Sequence, residues 1–163
     1  MATDIQTIID RTRFKVRASA FIIEDGEILM NKNEFDPMYY TVGGKIEVGE
    51  SSEEAVIREA FEETGIHYEI DRLLFTQELF YPSKFKDDRF EQCHEFMYHY
   101  LMKETGVKTF HNESRTHDNL LETQEWIPLE EVKNIYTYPR MLDIDFLNLP
   151  QTPQHLITHE TYK

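Results

Sequence analysis

The sequence predicts an α/β fold, a mixed β-sheet with helices on both faces. Two observations carry this. Segments rich in β-branched and aromatic residues stand on both sides of a single well-capped helix between Ser51 and Gly65. The 163 residues suit one domain with a sizeable core, read here as spanning 1–163 with 1–12 and 150–163 peripheral.

The elements follow in order. Phe14 to Ile23 reads as a strand, and Asp25-Gly26 is a two-residue hairpin turn into a partner strand, Glu27 to Asn31. Tyr39 to Val42 is a short strand leading into Gly43-Gly44, and Lys45 to Gly49 is a loop. Ser51 with Glu54 three residues later forms a capping box, and Gly65 suits a left-handed helix end. Val56 with Ala60, and Ile57 with Phe61, give that helix an apolar face. Tyr68 to Tyr81 contains a long strand, Pro82 to Gln92 reads as a charged loop, and His94 to Met102 as a central strand. Glu104 to Leu121 is polar and turn-rich, and reads as a mobile loop. Thr123 to Ile127 is a further strand and Leu129 to Asn134 a short helix. Pro139 suits the first position of a last helix ending at Leu147, and Pro150 onward reads as a loosely held tail.

The chemistry concentrates in Gly44 to Ile66, GKIEVGESSEEAVIREAFEETGI. Glu59, Glu62 and Glu63 fall at helical spacings of three and four, so three carboxylates crowd one stripe with no Lys or Arg among them. Like charges at that spacing weaken a bare helix, and a cation over the stripe removes the conflict. Hard divalent ions such as Mg²⁺ take oxygen ligands and complete their shell with water and substrate phosphate. A solvated acidic face is the alternative reading of such a run.

The same stretch resembles the signature of the Nudix hydrolases: Gly, five residues, Glu, seven residues, then Arg-Glu-aliphatic-any-Glu-Glu-any-Gly-aliphatic. The matching positions are Gly44, Glu50, Arg58, Glu59, Ala60, Glu62, Glu63, Gly65 and Ile66, nine positions in 23 residues. Ala60 is smaller than the usual aliphatic residue. The resemblance to this MutT-like family implies a Nudix-type α/β/α sandwich with a mixed sheet. It implies that Glu59, Glu62 and Glu63, with the carbonyl of Gly43, bind Mg²⁺, for which Mn²⁺ substitutes. Arg58 would orient a glutamate ligand from Glu54 or Glu62 distance, and Glu50 would support it. The catalytic set implied is thus Glu62, Glu63, Arg58 and Glu50. The general base lies within the motif or on a residue outside it, where Glu95, Glu113, Glu122 and Glu125 are the alternatives; each is otherwise a surface or structural residue.

The implied activity is Mg²⁺-dependent hydrolysis of a nucleoside diphosphate linked to another moiety, either a nucleoside triphosphate or an ADP-ribose or nucleotide-sugar type of substrate. Pro82, 16 residues beyond the motif, points toward the ADP-ribose-cleaving branch, although YPSKFKDD lacks that branch's Ser-Pro-Gly-like context. Phe35, Tyr39, Tyr40, Phe80, Tyr81 and Phe85 are candidates to stack on a base. A non-catalytic nucleotide sensor on the same fold is the rival from another class. Isoprenoid diphosphate isomerisation needs a cysteine in a defined place, and Cys93 lies far past the motif.

Other classes are excluded by charge and spacing. A formal net charge of −14 argues against stable nucleic-acid binding and against removal of messenger-RNA caps. His94 and His99 have the wrong spacing for HExxH and would face opposite sides of a strand, so zinc is not expected. One cysteine allows no internal disulfide, which suits a reducing, cytoplasmic setting. The N-terminus has no apolar signal region and no run is long enough to span a membrane. The expected partner is a small nucleotide substrate, and a homodimer is left open.

Overall fold

Ser51 starts the helix as the sequence predicts. Its side chain accepts from Glu54 N while the Glu54 carboxylate accepts from Ser51 N at 2.8 Å. Gly65 ends the helix at φ 75°, its N–H donating to Phe61 O. The helix is α1 (Ser52–Thr64) of a computed structural model that describes residues 2–35, 37–87, 89–109, 114–116, 119–141 and 143–161, the side chains of 84–87 excepted.

Around α1 runs one mixed sheet. In chain order its strands are β1 (Gln6–Ile9), β2 (Thr12–Phe21), β3 (Ile23–Glu24), β4 (Glu27–Asn33), β5 (Tyr39–Lys45), β6 (Ile70–Asp87), β7 (Phe90–Met102), β8 (Ser114–Arg115), β9 (Leu121–Pro128) and β10 (Gln154–His159). The spatial order is β10-β6-β7-β2-β5-β4-β9-β8, with β1 on β2 and β3 on β4. β2 runs parallel to β7 and antiparallel to β5, so the sheet is mixed at its centre.

Strand alternation sorts the core into two layers. Ala18, Ala20 and Ile22 face Ala55, Val56 and Ala60 of α1. The small residues on both sides let the helix lie close to the sheet, which gives Ala60 a packing reason. Phe21, pointing the other way, joins Ile28, Met30, Leu74 and Phe75 under Val132, Met141 and Phe146. A 3₁₀ helix (Leu129–Asn134) carries Val132 at the position where the sequence predicts a short helix.

Four expectations change. No helix forms over Pro139 to Leu147 among the described residues; the chain turns irregularly, with Asp145 accepting from Leu147 N and Asn148 Nδ2 at 3.0 and 2.9 Å. Such side-chain bonds compete with a helical backbone. Pro82 to Gln92 is not a loop, because β6 continues to Asp87 and pairs with β7 through a register shift between Pro82 and Asp87. The segment beyond Pro150 is a strand rather than a loose tail, since β10 pairs in parallel with β6 from Gln154↔Phe75 to His159↔Phe80. Phe61 leaves the apolar face of α1, stands 40% exposed and stacks on His67 at 4.0 Å. In the polar 104–121 segment, Thr105 and Gly106 donate backbone N–H groups to Glu24 at 2.6 and 3.1 Å, while Glu113 lies outside the described residues.

The capping box makes a prediction. Replacing Ser51 with Ala removes an N-cap bond worth about 1 kcal/mol, which for this chain length lowers the thermal midpoint by about 2–4 °C. Calorimetry reads this directly, and an unchanged midpoint would show that the cap contributes nothing to stability.

Candidate active site

The site begins where β5 meets α1. Gly43 has φ 145°, and a Cβ there would strike the backbone of Ala18 on β2. Gly44 lies under the Glu59 carboxylate so closely that any side chain at 44 would collide with it. Both glycines of β5 are therefore set by close approach, one to the neighbouring strand and one to the helix.

Arg58 organises the carboxylates. Its Nε and Nη2 donate to the two oxygens of Glu50 at 2.7 and 2.9 Å. Its Nη1 reaches Glu59 at 2.7 Å and Glu62 at 3.5 Å, and Nη2 also donates to Lys45 O at 3.1 Å. Glu50 further accepts from Glu47 N at 3.0 Å. The Arg58 bond holds the Glu50 carboxyl below its ordinary range. Arg58 thus ties the loop to the helix, and Glu54 is taken by the capping box rather than by Arg58.

Glu63 is held differently. Its carboxylate accepts from Asn31 Nδ2 at 2.5 Å and from Gly43 N at 3.3 Å, and it is buried. Burial pushes its carboxyl well above the usual range, with the nearby charges of Glu122 and Glu59 adding to the rise. Burial also raises Glu59, against the pull of Arg58. Glu62 is the open member of the stripe, with its side chain 57% exposed.

A cavity of about 1290 Å³ collects these groups; Gly43, Gly44, Glu59, Glu62, Glu63 and Glu122 line it. The outside acids separate clearly. Glu122 on β9 reaches the cavity. Glu125 accepts from the Tyr39 hydroxyl at 2.8 Å. Glu95 is fully buried, takes Lys15 Nζ at 2.6 Å and accepts from the Tyr81 hydroxyl. Burial alone would raise the Glu95 carboxyl, but Lys15 and Arg17 outweigh it and hold it low.

Four residues were not anticipated: Asn31 on β4, which bonds Glu63, and the cationic row Arg13, Lys15 and Arg17 on β2, which lines the cavity. The row was present in the sequence as RFKVR, whose every second residue is basic. In a strand that alternation puts all three on one face. Of the aromatics considered for base stacking, Tyr40 lines the cavity, whereas Phe35 is 76% exposed and Phe80 stacks between His94 and His159 at 4.3 and 4.8 Å. The side chain of Phe85 lies outside the described ones.

The donor set is made of hard oxygens with one guanidinium for several carboxylates, which fits a hard divalent cation rather than zinc. Among the described residues no three His, Cys, Asp or Glu side chains converge as a ready-made metal cage. His99 is engaged elsewhere, its Nε2 paired with Gln77 Oε1 at 2.8 Å; burial lowers its pKa to about 4 and keeps it neutral. No helix among the described residues is long and apolar enough to cross a membrane.

Comparison with known proteins agrees with this geometry. No curated protein matches the sequence. Among solved structures, a MutT NUDIX hydrolase from Burkholderia pseudomallei is 25% identical with a TM-score of 0.57, covering 83% of this chain and 98% of that one. A MutT protein from Methanosarcina mazei is 20% identical with a TM-score of 0.60, covering 85% and 94%. An ADP-ribose pyrophosphatase from Streptococcus suis is 16% identical with a TM-score of 0.56, covering 88% and 98%. The family model described as NUDIX domain matches residues 13–144. A motif whose loop and helix are joined by Arg58, set on a mixed sheet of this family's shape, places the chain among the Nudix hydrolases.

Proposed function

We propose that the chain is a Mg²⁺-dependent pyrophosphohydrolase that hydrolyses the diphosphate of a nucleoside diphosphate linked to another moiety. The observation that carries this reading is that Glu59, Glu62 and Glu63 all line one cavity, with Arg58 and Glu50 fixing the loop beside them. Nucleoside triphosphates and ADP-ribose or nucleotide-sugar substrates both satisfy it. One neighbour in fold is an ADP-ribose pyrophosphatase, which puts ADP-ribose on the panel to be tested.

In this reading Glu59, Glu62 and Glu63, with the Gly43 carbonyl, would hold the metal. The bound ion would supply charge neutralisation for the leaving phosphate and a water of lowered pKa. Mn²⁺ would serve in the same oxygen-ligand set. The residues of the chain do the rest. Arg58 fixes the Glu59 carboxylate over Gly44, so the ligand is oriented before substrate arrives. Asn31 and Gly43 N–H do the same for Glu63. Glu50 keeps Arg58 in place by a two-point bond.

The general base we infer is Glu122. Of the outside acids among the described residues it is the one that lines the cavity; Glu95 is sealed in its pair with Lys15, and Glu125 is turned to Tyr39. The lone cysteine is buried, consistent with a cytoplasmic enzyme.

Three measurements test the reading. The first is phosphate or monophosphate release from a panel of nucleotides, nucleotide sugars and dinucleotides with Mg²⁺. Turnover should vanish in excess chelator and return with Mg²⁺ or Mn²⁺, and Glu62→Gln or Glu63→Gln should lower kcat by at least about a hundredfold. A protein that turns over nothing on the panel, while binding nucleotides, would be the sensor instead.

The second separates base from ligand. Glu122→Gln should lower kcat about a hundredfold or more with the Mg²⁺ dependence unchanged, whereas Glu125→Gln should stay near wild type. Wild-type kcat in Glu122→Gln leaves the base to Glu113 or the motif, and wild-type kcat in Glu113→Gln as well moves it into the motif.

The third is a stability profile without metal. Glu59 and Glu63 carry raised carboxyl pKa values through burial. A raised carboxyl stabilises the fold below its unfolded pKa and loses that contribution as pH rises through the folded value. The metal-free thermal midpoint should therefore fall from mildly acidic to mildly alkaline pH. Mg²⁺ should flatten the decline, and so should Glu63→Gln. A midpoint that rises over that window contradicts the assignment.

A further inference from the structure

The β2 row lines the same cavity as the glutamates, and its members are not equivalent. Lys15 is neutralised by Glu95 at 2.6 Å. Arg13 donates to Cys93 Sγ at 3.7 Å and lays its guanidinium 4.5 Å from the centre of the Phe90 ring. Arg17 has neither kind of partner. Its Nε is sealed from solvent and meets no hydrogen-bond acceptor among the described residues. The carboxylates that act on it by charge, Glu95 and Glu59, are both occupied, Glu95 by Lys15 and Tyr81, and Glu59 by Arg58.

A structural arginine in a protein interior is normally tied down by carboxylates or carbonyls, because an unsatisfied buried donor is costly. Leaving a guanidinium unsatisfied beside a cavity makes sense when the acceptor arrives from outside. The strand register locates it. Ala18 pairs with Gly44, the residue beneath the Glu59 carboxylate, and Arg17 is the next residue along β2. Arg17 therefore stands at the same level of the cavity as the glutamates, whereas Arg13 is about 13 Å farther along the strand.

We propose that Arg17 is an anion-binding residue of this cavity, donating its terminal guanidinium N–H groups to a phosphoryl oxygen of the bound diphosphate from β2. The assignment deepens the pyrophosphohydrolase reading and rests on it for the identity of the ligand. It gives the diphosphate two unlike sides, carboxylates on α1 and a guanidinium on β2. Glu95, already bonded to Lys15 and Tyr81, lies near Arg17 without occupying its donors.

The probe is methylenediphosphonate with Mg²⁺, a diphosphate mimic whose P–CH2–P bridge cannot be hydrolysed. Wild type, Arg17→Met, Arg17→Lys and the exposed control Arg11→Met are titrated by calorimetry and melted with and without the probe. Wild type and Arg11→Met should bind alike. Arg17→Met should bind at least about tenfold more weakly, as loss of a charge-assisted bond predicts. Arg17→Lys should fall between, since a point charge replaces a fork. Wild-type affinity in Arg17→Met, or failure of wild type to bind the probe, overturns the proposal. The two readings fail separately. Arg17-dependent binding of the probe in a protein that hydrolyses no panel nucleotide removes the hydrolase and keeps the anion site. Hydrolysis with unchanged kcat/KM in Arg17→Met keeps the hydrolase and removes the anion site.

Discussion

The two-point bond between Arg58 and Glu50 is the constraint on which the active-site geometry depends. Glu50 lies in the loop before α1 and Arg58 lies in the helix, so the bond fixes the angle at which the loop enters the helix. From that anchor Arg58 also reaches Glu59, Glu62 and the Lys45 carbonyl at the end of β5. One partly exposed guanidinium therefore joins strand, loop and helix. Its fork matches a carboxylate as an ammonium cannot, so lysine in its place would keep the charge and lose the geometry. The pull on Glu50 is strong enough to keep that carboxyl low, while Glu59 and Glu63 are raised by burial. Three glutamates within one motif thus have opposed tendencies, created by which of them Arg58 satisfies and which the fold buries.

Close backbone approach supplies the second constraint. Gly43 is pressed against β2 and Gly44 against the Glu59 carboxylate. The small face shared by Ala18, Ala20, Ala55 and Ala60 brings α1 down on the sheet. Helix and strand then lie close enough for Asn31, a residue of β4, to hold Glu63 at 2.5 Å. A larger residue at any of these alanine or glycine positions would lift the helix and lengthen that bond. Packing and site geometry are here one property of the chain.

What could be read from the sequence follows from how local each signal is. The motif, the capping box, the left-handed Gly65 end and the Asp25-Gly26 turn are encoded within a few residues, and all appear where expected. The misread elements depend on distant partners. β10 is a strand because β6 offers it an edge, with Thr158 meeting Gln77 at 2.8 Å. Residues 82–87 look like a charged loop but pair with β7. Pro139 looks like a helix start, but Asp145 and Asn148 bond locally and Arg140 N–H is taken by Glu160 from the C-terminal segment. In the site, the glutamates were legible because they share one helix. The identity of Glu95 as the partner of Lys15 was not, since it requires the β2–β7 register.

That register also resolves a conflict between overall charge and ligand. The chain carries a formal net charge of −14, and an acidic body repels free polyphosphate. Two local reversals compensate. The oxygen donors of α1 suit a divalent cation, which changes the sign of that wall once bound. β2 brings positive charge to the cavity without any ion through Arg13 and Arg17, while Lys15 is neutralised by Glu95. An anion entering the cavity without metal meets three carboxylates on one side; a metal-complexed anion meets opposite charge on both. Under the proposed function the acidic surface would disfavour bare polyanions, and the carboxylates of α1 together with the guanidinium of Arg17 would favour a small phosphate ester that carries its counter-ion with it.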